Sequence, residues 1–275
     1  MRERLLLMNE VAELRGGRAP RPYLVLLAAW VVMMIALPIV RATSTIVLAT
    51  SSKAVFDWGV SLSVLLQAAA VLSILYAAWG GRRTLQTAVI VAALTWAIEW
   101  LGSTTGFPFG PYSYTEALRP QLFRVPLLIP LAWLMMLPIA WAIAARLTGG
   151  ARGWRFVALS ALALTAWDLF LDPQMVAWGY WVWDNPVGYF GIPWSNYAGW
   201  LLTGALITLV VRPKELPLRP LLLIYTVTWF LEWFGLIFFW GLIGPGLVGF
   251  VGMGVFVLLG WRGARGRGGE EAIGR

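Results

Sequence analysis

Residues 165–200 read TAWDLFLDPQMVAWGYWVWDNPVGYFGIPWSNYAGW. An apolar helical pattern carries Asp168 and Asp172, meets Pro173, and opens into a loop crowded with tryptophan, tyrosine, glycine and proline. Asp168 and Asp172 stand at i and i+4 and therefore share a helix face. Proline disfavours helical geometry in the residue before it, so the pattern predicts that the helix ends at Asp172. The C-terminus of a helix carries partial negative charge, a poor place for two ionised carboxylates. Such a pair calls for a bound cation or for a carboxyl that keeps its proton, and a neutral carboxylic acid is what general-acid chemistry needs. The structural alternative is that Asp172 caps the loop while Asp168 bonds a neighbouring helix.

Working outward, the surrounding chain is that of a membrane protein. Of 275 residues, 60% are hydrophobic and 12% charged. A soluble domain of that length carries about twice as much charge. Apolar runs long enough to span a bilayer recur along the chain. They predict an all-α, polytopic bundle of eight spans, near 23–40, 60–80, 84–102, 126–147, 154–172, 197–211, 218–240 and 243–261. Residues 1–22 are expected to form a cytoplasmic N-terminal segment without a cleavable signal pattern. Residues 23–261 form one transmembrane domain, and residues 262–275 a basic cytoplasmic tail.

Charge orients the bundle. With the N-terminus in the cytoplasm, the inner segments hold seventeen basic residues. The outer segments hold four: Arg41, Lys53, Arg119 and Arg124. This asymmetry obeys the positive-inside rule and sets both termini in the cytoplasm of a multi-pass protein of the cell membrane. The net charge of +8 then reports loops facing anionic lipid, not a nucleic-acid partner. The chain has no histidine and no cysteine. Disulfides, Cys/His metal sites, cysteine nucleophiles and histidine bases are excluded. Acid–base chemistry is left to Asp, Glu, Tyr, Lys and Arg, and no metal site is expected.

The same topology brings Glu99, Asp168, Asp172 and Glu232 to one depth in the outer half of the membrane. Ionisable groups at such depth face a bundle interior or a cavity. Glu99 and Glu232 lie in matching octapeptides, Thr95-Trp96-Ala97-Ile98-Glu99-Trp100-Leu101-Gly102 and Thr228-Trp229-Phe230-Leu231-Glu232-Trp233-Phe234-Gly235. The shared pattern T-W-x-x-E-W-x-G suits a parallel four-plus-four duplication. Two outer loops echo each other as well, Phe109–Tyr114 and Phe190–Tyr197, although interfacial loops favour such residues in any case. The 18 tryptophans partly serve interfacial belts. The density from Trp178 to Tyr197 exceeds that need and suits a loop folded back over a cavity. Aromatic faces attract positive charge. An acid beside aromatic walls suits protonation of an electron-rich alkene.

Three segments carry a family resemblance: EWLGSTTGFPFGPYSYTEAL (Glu99–Leu118), AWDLFLDP (Ala166–Pro173) and YWVWDNPVGYFGIPWSNYAGW (Tyr180–Trp200). They resemble the CruF-type carotenoid biosynthesis family, which includes carotenoid 1,2-hydratases and bisanhydrobacterioruberin hydratase. The likeness runs from about residue 60 to 260. It implies addition of water to the terminal C1–C2 double bond of an acyclic carotenoid such as lycopene, γ-carotene or a C50 carotenoid. It implies no redox cofactor, and membrane lipid and water as the other partners.

On this reading Asp168 is expected to be the general acid, with Asp172 relaying protons. Glu99 or Glu232 orients or deprotonates the water. Trp181, Trp183 and Trp194 line the cation site, and Asp184 and Asn185 admit water. Tyr112, Trp96 and Trp229 complete the substrate contacts. Three other readings compete. A prenyltransferase would need a second acidic metal motif. A cyclase would start with the same protonation and then exclude water. A transporter would leave the carotenoid unchanged.

Overall fold

The computed structural model describes residues 22–47 and 51–262. The N-terminal segment and the basic tail expected from the sequence lie, apart from Pro22 and Arg262, outside the described residues. Seven helices are described: α1 (Pro22–Val47), α2 (Ser51–Thr105), α3 (Leu128–Leu147), α4 (Trp154–Ala177), α5 (Trp194–Val211), α6 (Leu218–Phe238) and α7 (Ile243–Arg262). Each contains a window long and apolar enough to cross a membrane. The fold is a bundle of membrane-type helices.

Helix α2 has 55 residues. A straight helix of that length would measure about 80 Å, against a hydrocarbon core of about 30 Å. It is not straight: Gly80 leaves helical geometry, with φ 75° and ψ 168°. A positive φ of this kind costs a glycine little, and the break separates the stretches 60–80 and 84–102 that hydropathy distinguishes.

Helix α3 is apolar on all sides, and such a helix belongs in the interior. Buried residues make up 83% of its apolar window, against 22% for α1 at the periphery. Helices α2, α4, α6 and α7 all pack on α3. Hydrogen bonds between side chains and neighbouring helices fix the register. Trp141 Nε1 donates to Thr208 Oγ1 (2.8 Å), Tyr225 OH to the Ala163 carbonyl (2.9 Å) and Gln67 Nε2 to Thr228 Oγ1 (3.1 Å). Such bonds join helices where lipid offers no competing partner.

The helix carrying the aspartates does not end at Asp172. Helix α4 runs through Pro173 to Ala177. Proline lacks an N–H and so frees the carbonyl four residues earlier. That carbonyl, of Leu169, accepts a hydrogen bond from Tyr189 OH at 3.0 Å. A phenol from the following loop thus replaces the missing backbone donor and lets the helix continue. It ends instead at Trp178, where Gly179 takes a left-handed conformation (φ 74°). Asp172 therefore lies more than one turn inside the helix, and the argument from the helix C-terminus does not apply to it.

Two loops from distant parts of the chain form a small ribbon not foreseen in an all-helical reading. Strand β1 (Tyr112–Tyr114) pairs antiparallel with β4 (Trp181–Trp183), matching Tyr112 to Trp183 and Tyr114 to Trp181. Between them in sequence, β2 (Gln121–Leu122) and β3 (Val125–Pro126) form a second two-stranded pair. Side chains alternate along a strand, so Tyr112, Tyr114, Trp181 and Trp183 all share one face. Ser113 and Val182 point outward and are exposed. The ribbon is tied to α5 by Ser195 Oγ, which donates to the Phe109 carbonyl at 2.8 Å. Gly110 (φ 110°) permits that approach, because a Cβ there would stand 2.8 Å from Ser195 Oγ.

Candidate active site

Beneath the ribbon lies a cavity of about 80 Å³. It has room for several waters or for a small branched hydrocarbon end. The four aromatic residues of the ribbon, with Phe109, form its roof. Its walls come from α2 (Val60, Val64, Glu99), α3 (Leu128, Ile129, Ala132, Trp133, Met135), α4 (Trp167, Leu171, Asp172, Met175) and α5 (Asn196, Trp200). The lining is apolar except for two carboxyl groups, one carboxamide, two phenols and the indole N–H groups.

Glu99 is fixed in place by three hydrogen-bond donors. Tyr112 OH donates to its Oε2 at 2.5 Å and Tyr114 OH to the same oxygen at 2.7 Å; Trp133 Nε1 donates to Oε1 at 3.0 Å. Burial, and next the charge on Glu99, push the ionisation of both phenols well above the usual tyrosine range. Both tyrosines therefore stay protonated and keep donating. Three donors on one buried carboxylate replace most of the water it lost.

The aspartates form a second cluster, between α4 and the first turn of α5. Asn196 Nδ2 donates to Asp168 Oδ2 at 2.8 Å and also to Asp172 Oδ2. One amide nitrogen thus spends its two hydrogens on two carboxyl groups. Asp172 Oδ1 accepts from Trp181 Nε1 at 2.6 Å, and Trp183 Nε1 approaches the same group without forming a well-directed bond. Asp172 borders the cavity; Asp168 does not, and stands one turn behind it. Asp168 Oδ1 is buried without a hydrogen-bond partner, as is the nearby hydroxyl of Tyr197.

Five of the residues singled out in the sequence thus share this cavity: Glu99, Asp172, Tyr112, Trp181 and Trp183. Six others lie away from it. Glu232 is buried on α6 beside Trp167 and Gln174, with Oε2 unpartnered, and does not line the cavity. Trp96 stacks on Trp100 along the outer face of α2, and its Nε1 donates to the Leu122 carbonyl at 3.3 Å. Trp229 stacks on Phe250 of α7. Trp194 is the first residue of α5 and is 66% exposed. Asp184 and Asn185 follow β4 and are exposed on the outer surface. The single pocket expected for all four helix acids is therefore corrected: Glu232 occupies a separate place.

Asn196, Trp133, Tyr114, Trp167, Trp200 and Phe109 are the site residues that sequence reading did not single out. Asn196 left a usable signal, being a carboxamide in the first turn of an apolar helix. Trp133 and Trp200 left none. They stack at 4.2 Å between ring centroids, but each looks like any other tryptophan in an apolar run.

Among known proteins, the family model described as "Carotenoid biosynthesis protein" matches residues 59–257. The chain belongs to that family. It is 31% identical over 186 residues to the bisanhydrobacterioruberin hydratase of Haloarcula japonica, a region that covers 63% of this chain and 63% of that protein. The match thus spans less than two thirds of the relative's length. No solved structure matches the chain.

Proposed function

We propose that the protein is a carotenoid hydratase, which adds water across the terminal C1–C2 double bond of an acyclic carotenoid end group. The observation that carries this reading is that Asp172 and Glu99 line one aromatic, otherwise apolar cavity. A hydrocarbon end group enters without desolvation cost, and the two carboxyl groups supply the only acid–base chemistry the reaction needs. The likeness to a protein named as a hydratase supports the reading independently.

In this mechanism Asp168 and Asp172 share one proton, since two carboxylates bridged by a single amide repel each other. Asp172, at the cavity wall, delivers it to C2. This revises the role expected for Asp168, which becomes the partner that keeps the pair supplied. The C2–H bond forms as the π bond breaks, leaving a tertiary cation at C1. The Glu99 carboxylate and the surrounding indole faces stabilise that cation. Water attacks C1, and Glu99 takes up the proton released. Transfer of that proton back to the aspartate pair through cavity water resets the site, so turnover consumes one alkene and one water. No cofactor or metal takes part.

The position in the membrane follows from the same reading. Counting the two halves of α2 separately gives eight spans, and the arginine asymmetry puts both termini in the cytoplasm. The cavity then opens in the outer half of the bilayer, where a carotenoid end can enter from lipid. The test is expression in bacteria that accumulate lycopene, with product mass spectrometry. A hydratase yields a product heavier by one or two waters; a cyclase leaves the mass unchanged. Asp172→Asn should abolish the hydrated product at normal protein level. Wild-type yield from that variant would sink the proposed acid.

A further inference from the structure

A second cavity lies at the other end of the bundle. Asn196 lies in the first turn of α5 and Arg212 caps its far end, which separates them by about 24 Å along the helix axis. The far cavity measures about 240 Å³ and sits between the start of the second half of α2 and the loop joining α5 to α6. Arg83, Arg212 and Lys214 line it, and no carboxylate does. Gln86 and Thr87 add polar wall, Trp79 an aromatic one.

This basic cavity is built, not a loose scatter of charges. Arg83 Nη2 donates to the Lys214 carbonyl at 2.7 Å, Trp79 Nε1 to the Glu215 carbonyl at 2.9 Å, and the guanidinium stands 4.4 Å from the centre of the Trp79 ring. One carboxylate touches the cluster from outside: Glu215 Oε2, 3.3 Å from Arg83 and itself 80% exposed. Arg152, in the adjoining loop, adds a fourth positive charge. Burial, and then the charge on Arg83, lower its pKa from the usual arginine range. Positive charge is therefore in excess here. Beside the cavity the helix surfaces are apolar and open: Val89 is 57% exposed, Leu209 52% and Val210 50%.

We propose that this cavity binds the phosphate headgroup of an anionic phospholipid, with the acyl chains lying on the exposed apolar faces of α2 and α5. A carotenoid substrate carries no anion, so the cavity has no part in its chemistry. Basic pockets between helices at the cytoplasmic boundary are suited to such headgroups, and each cation near the surface is worth roughly fivefold in affinity. The inference rests on the membrane orientation proposed above and not on the hydration chemistry.

The experiment uses the full chain purified in detergent, titrated with phosphatidylglycerol and followed by thermal unfolding and native mass spectrometry. Phosphatidylglycerol should raise the melting temperature and remain bound, and high salt should weaken it. Phosphatidylcholine with the same chains should do neither. The double variant Arg212→Gln, Lys214→Gln should lose about thirtyfold in phosphatidylglycerol affinity. If that pair disturbs folding, Lys214→Gln alone, an exposed side chain, should lose about fivefold. Equal stabilisation by phosphatidylcholine, or unchanged affinity in the variants, overturns the proposal. An equal shift from inorganic phosphate would assign the site to free phosphate and overturn it as well.

Discussion

Glu99 and Glu232 stand in the same octapeptide pattern and make the same local structure. Thr95 and Thr228 return their hydroxyls to the carbonyls of Val91 and Ile224, at 2.8 and 2.9 Å. Trp96 and Trp229 each give an indole N–H to a backbone carbonyl, of Leu122 and Phe250. Both glutamates are buried. Their partners differ. Glu99 receives two phenols and an indole and lines a cavity; Glu232 keeps an unpartnered oxygen, lies beside Trp167 and Gln174, and does not line it. The pattern specifies a helix and how it packs. The chemistry of each acid is set by what other segments bring to it, here the ribbon of β1 and β4.

The sharpest way to break this contrast is to neutralise each acid in turn. On the proposed mechanism, Glu99→Gln should lower hydration about 10²- to 10⁴-fold, the usual worth of a positioned acid or base. Glu232→Gln should stay within about threefold of the parent. Product yield per protein, measured by mass spectrometry in lycopene-producing cells, decides it. Equal losses would mean that the two sites work as one.

Stability should separate them next. Glu99→Leu leaves three buried donors without an acceptor, each worth roughly 1–3 kcal/mol of desolvation, and should destabilise by about 2–4 kcal/mol after relaxation. Glu232→Leu removes one unpartnered oxygen along with the one that faces Trp167 and Gln174, and should destabilise by less than Glu99→Leu. Thermal unfolding in detergent measures both. Strong destabilisation by Glu232→Leu would reveal partners for that carboxyl beyond Trp167 and Gln174.

The donors themselves come third. Tyr112→Phe and Tyr114→Phe each delete one charge-assisted bond to Glu99, worth about 1.5–3 kcal/mol. Each should cost roughly tenfold to a hundredfold in hydration. Gln174→Leu, beside Glu232, should cost less than threefold. A Tyr114→Phe variant as active as the parent would reduce the Glu99 anchor to Tyr112 and Trp133.

The sequence made the long apolar helices legible because hydropathy and length depend on local composition alone. Glu99 and Asp172 were legible for the same reason, as acids inside apolar helices. Three features were not, and each depends on contacts between distant segments. The end of α4 was misread at Pro173 because Tyr189, from the next loop, supplies the missing donor. The echo in sequence joins Phe109–Tyr114 to Phe190–Tyr197, whereas the strand that pairs with β1 is Trp181–Trp183, and that pairing requires the helices between them to bring the strands together. Which tryptophans face the cavity depends on helix rotation: Trp133 lines it while Trp96 faces outward, with nothing in their neighbouring residues to distinguish them. Glu232 was grouped with the other acids on depth, and depth does not specify a helix face.

The smallest effect tests the shared half of the comparison. If the octapeptides do equal structural work, Trp96→Phe and Trp229→Phe should destabilise the protein by similar amounts. Each loses one indole–carbonyl bond, about 0.5–1.5 kcal/mol, and keeps an aromatic ring for packing. The Trp229 bond is the shorter, 2.8 Å against 3.3 Å, so its loss should lie toward the upper end of that range. Neither indole borders the cavity, so hydration per folded protein should be unchanged in both. A selective loss of activity in Trp96→Phe would show that the Leu122 carbonyl anchor positions Glu99, and that the first octapeptide has a role in the site which the second lacks.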